Sequence, residues 1–145
     1  MIVVDASALL EVLLQTPAAG PIADCIFAPE ESLHAPHLID VEVAQILRRY
    51  HRSGEIDEKR GREALLDLTD LDLERYPHTA LLPRVWELRQ NLTAYDAAYL
   101  ALAEALQARL VTCDRRFARA VIAGLTTAQV DRFPSSARPS ASWAR

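Results

Sequence analysis

Apolar and polar residues follow one another along the chain in blocks that predict strands and helices in alternation. A β-branched run at 2–4 predicts a first strand, and the Ala- and Leu-rich spacing at 6–14 predicts a helix directly after it. The same reading predicts further strands at 32–36, 71–76, 109–112 and 125–130. It predicts further helices at 17–27, 37–51, 57–68, 79–90, 93–108 and 115–123.

This alternation predicts an α/β fold with a central, mostly parallel sheet of four to five short strands flanked by about seven helices. The segment 71–76 alternates apolar and charged residues, which favours a half-exposed strand at the edge of the sheet. A chain of 145 residues fits one domain. We place that domain at 1–131, because the Pro, Ser, Ala and Arg content of 132–145 favours a frayed tail.

The composition is typical of an ordinary globular protein and favours a cytoplasmic location. Half of the residues are hydrophobic and a quarter are charged. No apolar run approaches the roughly 18 residues of a membrane span, and the first residues lack the basic flank and apolar stretch of a signal peptide. Cys25 and Cys113 lie far apart with no second Cys or His at metal spacing, so we expect small buried hydrophobes.

Four acidic residues lie where apolar segments start, stop or turn: Asp5, Glu42, Asp96 and Asp114. Asp5 and Asp114 each follow a predicted strand, and parallel sheets place their sites outside the carboxyl ends of the strands. A buried carboxylate costs several kcal/mol unless it is paired or bound to a cation, and we expect few basic residues nearby. Mg²⁺ and Mn²⁺ prefer such hard oxygen ligands. The pattern therefore predicts a metal-binding acidic pocket.

Each of these acids also has a structural explanation. Asp5 and Asp114 are placed to cap the helices that follow them. Asp96 lies three residues after Thr93, in a pattern close to a capping box. Glu42 lies at the border of an apolar helix face, where a surface residue is also expected. One such acid would indicate little, but four together favour the pocket.

The net charge of −4 at first argues against a nucleic-acid partner. The four acids, if all are ionised in one pocket, account for this charge, and the rest of the chain sums to zero. Lys59 is the single lysine among 16 basic residues, so 15 are arginines. Arginine suits bidentate phosphate contacts, although a GC-rich genome would give the same bias.

Four segments, taken together, resemble the PIN domain and specifically its VapC-type toxins. They are VVDASAL at 3–9, DVEVA at 40–44, LTAYDAAY at 92–99 and LVTCD at 110–114. The resemblance spans nearly the whole chain, and the order and spacing of all four segments make it specific. It implies a single PIN-like domain that is an Mg²⁺- or Mn²⁺-dependent endoribonuclease, inhibited by a cognate VapB-type antitoxin and usually homodimeric.

The resemblance also implies a set of site residues. Asp5 and Asp96 match the family's best-established metal ligands, and Glu42 and Asp114 match the other two acids of its catalytic and metal site. The metal, Mg²⁺ with Mn²⁺ as a substitute, would activate water for in-line attack on RNA, leaving a 5′-phosphate and a 3′-hydroxyl. Two hydroxyl residues match supporting positions, for which local capping or strand packing is an equal explanation: Ser7 and Thr112.

Three arginines on helices that follow the acids are candidates for holding RNA phosphates: Arg48, Arg115 and Arg116. A solvated helix face is the alternative explanation for them. The chain departs from the family at Ala108 and Arg109, where relatives often carry Gly and Pro. This departure concerns a turn and leaves the acids in place.

Two other classes of protein remain as alternatives. An Mg²⁺-dependent aspartate-site phosphatase needs an acid two residues after its nucleophile, where this chain has Ser7, and a receiver domain needs a late lysine. A PIN-like fold that is only a binding partner would be favoured by a missing acid, and none is missing. His34 and His37 flank Pro36 without a third ligand at metal spacing, so we expect a structural role for them rather than zinc binding.

Overall fold

Five short parallel strands form the centre of the structure, a computed structural model that describes residues 1–136. The strands are β1 (Ile2–Val4), β2 (Leu33–Pro36), β3 (Leu73–Tyr76), β4 (Arg109–Thr112) and β5 (Val130–Arg132). They pair in the order β3-β2-β1-β4-β5, with Val3 opposite His34 on one side and Leu110 on the other. All three residues of β1 are completely buried, which explains why this central strand is apolar throughout.

Seven α-helices within the described residues connect and cover the strands. They are α1 (Ala6–Leu13), α2 (Ala19–Ile26), α3 (Leu38–Arg52), α4 (Glu58–Asp70), α5 (Leu82–Glu87), α6 (Ala94–Leu106) and α7 (Arg115–Ile122). The predicted α/β architecture is confirmed, and so is the position of β3 at an edge of the sheet. No helix in residues 1–136 is both long and apolar enough to cross a membrane.

Two predicted elements differ from the observed ones. The helix expected at 79–90 is a short 3-10 turn at Thr79–Leu81 followed by α5, because Pro83 lies in the first turn of α5, where a missing N–H is tolerated. The last strand is displaced from 125–130 to Val130–Arg132. Thr126 explains this shift, since its hydroxyl donates to Glu104 and accepts the Ala128 N–H, which holds the preceding residues in a turn.

Helix α6 forms much of the core beneath the sheet. It packs against β1, β2 and β4, and its eight residues from 96 to 103 are all buried. A helix that is buried over two full turns is expected to be apolar on every side. Asp96 and Tyr99 are therefore unusual polar groups inside this core.

The chain continues to make contacts after β5. The Phe133 N–H donates to the Thr112 carbonyl at 2.8 Å, and the Ser136 N–H donates to Glu11 Oε1 at 2.9 Å. These residues belong to the segment 132–145, for which the sequence favours a frayed tail. The rest of that segment, 137–145, lies outside the described residues.

Candidate active site

The carboxyl ends of β1 and β4 bring the first and last of the four acids together. These strands are neighbours in the sheet, and Asp5 and Asp114 follow them closely. Asp5 caps α1 by accepting the Ala8 N–H at 3.0 Å, and Asp114 caps α7 by accepting the Arg116 N–H at 2.8 Å. The capping explanation is therefore correct for both residues. It does not exclude the pocket, because each carboxylate also lines the same cavity.

Helices α3 and α6 contribute the other two acids, Glu42 and Asp96, to this cavity. Its volume is about 390 Å³, which is room for roughly a dozen water molecules. The acids share the cavity with three groups of residues: small residues of α1, larger residues of α3 and α6, and one base of α7. The complete lining is Asp5, Ala6, Ser7, Val41, Glu42, Gln45, Tyr95, Asp96, Tyr99, Asp114 and Arg116.

Asp5 is the most enclosed of the four carboxylates. Ser7 Oγ donates to its Oδ1 at 2.7 Å, and Thr112 Oγ1 donates to its Oδ2 at 2.6 Å. Burial nevertheless raises the pKa of Asp5 to about 6, because the bonds from Thr112, Ser7 and Ala8 offset only part of the desolvation. The negative charge of Asp114 raises this pKa further.

Glu42 is held by a tyrosine of the core helix. The Tyr99 hydroxyl donates to Glu42 Oε2 at 2.9 Å. Burial raises the pKa of Glu42 to about 7, and the negative charges of Asp5 and Asp96 add to this rise against the effect of the Tyr99 bond. Tyr99 itself has a pKa raised well above its ordinary value by burial and by the charge of Glu42, so it remains a hydrogen-bond donor.

Asp96 and Asp114 share a guanidinium group. Arg116 Nη1 lies 3.3 Å from Asp96 Oδ2, while Arg116 Nε and Nη2 lie 2.9 and 2.5 Å from Asp114 Oδ2. The Oδ2 atom of Asp96 is buried and accepts no hydrogen bond from the described residues. Burial raises the pKa of Asp96 to about 6, although the positive charge of Arg116 opposes this rise.

The residues of the cavity fit a hard divalent cation in their chemistry. Three carboxyl groups with raised pKa values and a buried oxygen without a hydrogen bond are groups that a cation would stabilise. The described lining contains oxygen donors and no histidine or cysteine, as Mg²⁺ and Mn²⁺ prefer. No three acidic, imidazole or thiol groups in residues 1–136 converge as a ready-made metal cluster. Mg²⁺ tolerates this spacing, since it usually keeps several water ligands.

The structure places the remaining predicted site residues in two groups. Ser7 and Thr112 both donate hydrogen bonds to Asp5, whereas Arg48 and Arg115 are exposed on the surfaces of α3 and α7. The acids have one basic neighbour among the described lining residues, Arg116, which contacts two of them. Arg116 is the second residue of α7, and its side chain turns back toward Asp114, the N-cap of the same helix.

One functional residue was missed by the sequence reasoning. Tyr99 lies among the apolar residues of α6 and its ring is buried, but its hydroxyl reaches Glu42 across the cavity. The signal was present in the sequence, because residues three apart on a helix share a face and Tyr99 lies three after Asp96. His34 has the expected structural role, since its ring nitrogens bond Ser32 and Tyr76.

Comparisons with known proteins agree on one family. The model of the PIN domain matches residues 2–122. Ribonuclease VapC9 of Mycobacterium tuberculosis is 49% identical over 116 residues, which are 80% of this chain and 87% of that protein. Ribonuclease VapC1 of the same species is 44% identical over 119 residues, which are 81% of this chain and 89% of that protein.

Solved structures share the fold. PAE2754 from Pyrobaculum aerophilum has a TM-score of 0.64 and 27% identity, with 90% of this chain and 82% of that chain covered. A chain of VapBC2 from Rickettsia felis, solved with a DNA fragment from its promoter, has a TM-score of 0.66 and 16% identity. The match covers 92% of this chain and 99% of the Rickettsia felis chain. At 16% identity the second likeness concerns the fold alone.

Proposed function

The chain belongs to the PIN domain family, and we propose from this premise that it is a metal-dependent endoribonuclease, the toxin of a toxin–antitoxin pair. Its relatives at 49% and 44% identity are named as VapC ribonucleases, and the chain spans most of their length. One observation of the structure carries the proposal. Four carboxylates from four separate parts of the chain line one cavity, and burial raises the pKa of three of them.

Asp5 and Asp96 would hold the divalent cation, with Glu42 and Asp114 completing the acidic wall. Asp5 and Asp96 each have a buried carboxylate with a raised pKa, and Asp96 has an oxygen that accepts no hydrogen bond from the described residues. When bound, Mg²⁺ or Mn²⁺ supplies an activated water and charge neutralisation at the leaving oxygen of a phosphodiester.

Other residues of the chain hold these acids in position. Ser7 and Thr112 each donate to a different oxygen of Asp5, so the carboxylate plane cannot rotate freely. Tyr99 fixes Glu42 in the same way from the buried side of α6. Fixed acceptors reduce the reorganisation that a reaction would otherwise require. The remaining wall is an exposed rim formed by Val41 and Tyr95, where a ribonucleotide can pack beside the acids.

The RNA would approach from the surface that carries Arg48 and Arg115. Both side chains are exposed, and both belong to helices that also contribute to the cavity lining. Arginine on such a surface suits phosphate contacts along a backbone. This arrangement weakens the objection raised by the net charge of −4, since four acids and Arg116 give the cavity a formal charge of −3 and leave −1 for the rest of the chain.

The proposed partners are a cognate VapB-type antitoxin and a second copy of the chain, with the cytoplasm as the place of action. A neighbour in fold from Klebsiella pneumoniae is named as a toxin–antitoxin complex, and the Rickettsia felis neighbour is named as VapBC2. Val41 at the cavity rim and Trp86 on α5 are each 68% exposed in the single chain. Burial of such residues against a partner would be favourable.

The test is cleavage of RNA by the purified chain with Mg²⁺ and with a chelator. We expect Mg²⁺-dependent cleavage that falls at least about a hundredfold in Asp5→Asn and Asp96→Asn, which keep the side-chain shape and remove the charge. Asp24→Asn is the matched control, because Asp24 is an exposed acid away from the cavity. Undiminished cleavage by either cavity variant would contradict the assignment.

A further inference from the structure

Arg116 joins two acids that come from different parts of the fold. Its guanidinium contacts Asp114 at the end of β4 and Asp96 in the first turn of α6. Three of its nitrogens face carboxylate oxygens, at 2.5 to 3.3 Å. The side chain is about 31% exposed, so these contacts are partly protected from water. Such an arrangement is a cross-link between β4 and α6 through charge.

The same residue carries the only positive charge among the described residues that line the cavity. The lining contains Asp5, Glu42, Asp96 and Asp114 against this single guanidinium, so four negative charges meet one positive charge. Without Arg116 the acids would face one another with no cation from the described lining. Like charges that line one cavity disfavour the compact state.

The contact with Asp96 is incomplete. Asp96 Oδ2 is buried and accepts no hydrogen bond from the described residues, and the 3.3 Å approach of Arg116 Nη1 gives it an ion pair only. The contact with Asp114, at 2.5 and 2.9 Å, is closer. A divalent cation bound at Asp96 would meet the guanidinium at short range, and two cations of like sign cannot both approach one oxygen without repulsion.

We propose that Arg116 is a positioning residue that acts as the internal counter-ion of the acid cavity and competes with the divalent cation for Asp96. This inference rests on the metal dependence of the proposed function. In the absence of metal, Arg116 holds Asp96 and Asp114 in place. When metal binds, the guanidinium gives up its contact with Asp96 and keeps the closer one with Asp114.

The experiment measures binding of the metal alone, without RNA, to the full chain. Mn²⁺ is titrated calorimetrically into the unaltered chain, Arg116→Gln, Arg116→Lys and Arg119→Gln. Arg119 is the matched control, because it is an exposed arginine of the same helix. We expect Arg116→Gln to bind Mn²⁺ about tenfold more tightly, since a repelling charge is removed. Arg116→Lys keeps the charge and Arg119→Gln removes a distant one, so both should remain within about twofold of the unaltered chain.

A second readout is thermal unfolding in a chelator. Arg116→Gln should unfold at a lower temperature than the unaltered chain, and its gain in unfolding temperature on adding Mg²⁺ should be larger, because the metal replaces the lost counter-ion. Arg119→Gln should match the unaltered chain in both measurements. If Arg116 had only a structural role, its replacement by Gln would lower the unfolding temperature without raising the affinity for metal.

Three results would overturn the inference. Equal or weaker Mn²⁺ binding by Arg116→Gln contradicts it, and so does equal tightening in Arg119→Gln. If Arg116→Gln does not fold, the Nη–H resonances of Arg116 in the unaltered chain decide, because Nη1 faces Asp96 and unchanged resonances at saturating Mg²⁺ exclude the loss of that contact. Absence of Mn²⁺ binding by the unaltered chain removes the metal dependence of the proposed function as well, and is thereby distinguished from a failure of the inference alone.

Discussion

The two ends of the central strands carry charged residues in opposite arrangements. Near the amino ends of β1 and β4, Arg109 donates to Glu31 and to Asp131 at 2.7 Å each, and the N-terminal ammonium donates to Glu31 at 2.6 Å. Two negative charges there meet two positive ones. At the carboxyl ends, four acids of the cavity meet Arg116 alone among the described lining residues.

The pKa values follow this difference. Hydrogen bonds from the N-terminal ammonium and from Arg109 lower the pKa of Glu31, whereas burial raises the pKa values of Asp5, Glu42 and Asp96. The amino end is thus arranged for stability, and the carboxyl end retains charge that the fold does not neutralise. Unneutralised charge of this kind is expected where a protein binds a cation rather than where it only needs to fold.

The largest expected effect is on the pH dependence of stability without metal. The folded pKa values of Asp5, Asp96 and Glu42 are about 6, 6 and 7, above their ordinary values of 3.8 to 4.5. Between the ordinary and the raised pKa values the folded state binds more protons than the unfolded state, so the free energy of unfolding falls as the pH rises. We expect a loss of about 3 kcal/mol or more between pH 5 and pH 8 in a chelator, measured by urea unfolding.

At the amino ends of the strands the pKa shift has the opposite sign. The lowered pKa of Glu31 contributes stability above its ordinary range, and this contribution is lost only as the pH falls through the lowered value. Stability in a chelator should therefore be greatest near pH 5. Saturating Mg²⁺ should flatten the decline toward pH 8, because it binds the ionised carboxylates. A chain that is most stable at pH 8 without metal would refute the comparison.

Neutralising one acid at each end should shift stability in opposite directions. Asp5→Asn removes a buried charge and keeps a group that can bond Ser7 and Ala8, so we expect the chain to gain about 2 kcal/mol at pH 8 in a chelator. Glu31→Gln removes a paired charge and should cost about 1 kcal/mol. Both are measured by urea unfolding. A loss of stability in Asp5→Asn would mean that the cavity charge is compensated within the fold.

Two threonines with the same local geometry separate support of the site from support of the fold. Thr112 donates to Asp5 and accepts the Asp114 N–H, while Thr126 donates to Glu104 and accepts the Ala128 N–H. Valine at either position should lower stability by about 1 to 2 kcal/mol, since both hydrogen bonds are lost. Only Thr112→Val should lower RNA cleavage, by roughly tenfold, because Asp5 Oδ2 then loses the hydroxyl that donates to it. Equal cleavage by the two variants would place Thr112 outside the site.

The carboxyl ends of β1 and β4 and the acids that follow them are predictable from the sequence, because strand ends are local features. The run at 2–4 and the segment at 109–112 indicate two strands, and the acids after them mark the edge at which they meet. The helix caps Asp5, Asp57 and Thr93 have equally local signals. These elements depend on neighbours along the chain, so a single sequence contains the information.

The counter-charges were harder to predict, because they depend on side-chain direction. Arg116 was expected on a surface that binds RNA, but its helix starts at the cap formed by Asp114, and this cap aims the side chain into the cavity. The last strand was displaced for a similar reason, since the Thr126 turn depends on Glu104, which is 22 residues away. Pairings of this kind are set by the packed structure rather than by local pattern.

The smallest expected effect concerns Glu42 and its tyrosine. Tyr99→Phe removes the hydroxyl that donates to Glu42 Oε2, and this hydrogen bond lowers a pKa that burial has raised to about 7. Without the bond the pKa of Glu42 should rise further, so more of the carboxyl group is protonated at pH 7. We expect cleavage at pH 7 and saturating Mg²⁺ to fall roughly threefold.

The pH profile shows whether this loss comes from charge. Because a higher pKa only moves the acidic limb of the profile, the two chains should converge as the pH rises to 8.5. Tyr76→Phe is the control, since the Tyr76 hydroxyl bonds His34 at 2.9 Å on another strand pair and should leave the profile unchanged. A loss in Tyr99→Phe that is the same at every pH would instead indicate displaced packing. The hydrogen bond between Tyr99 and Glu42 would then have a structural role, like the ion pairs at the amino ends of the strands.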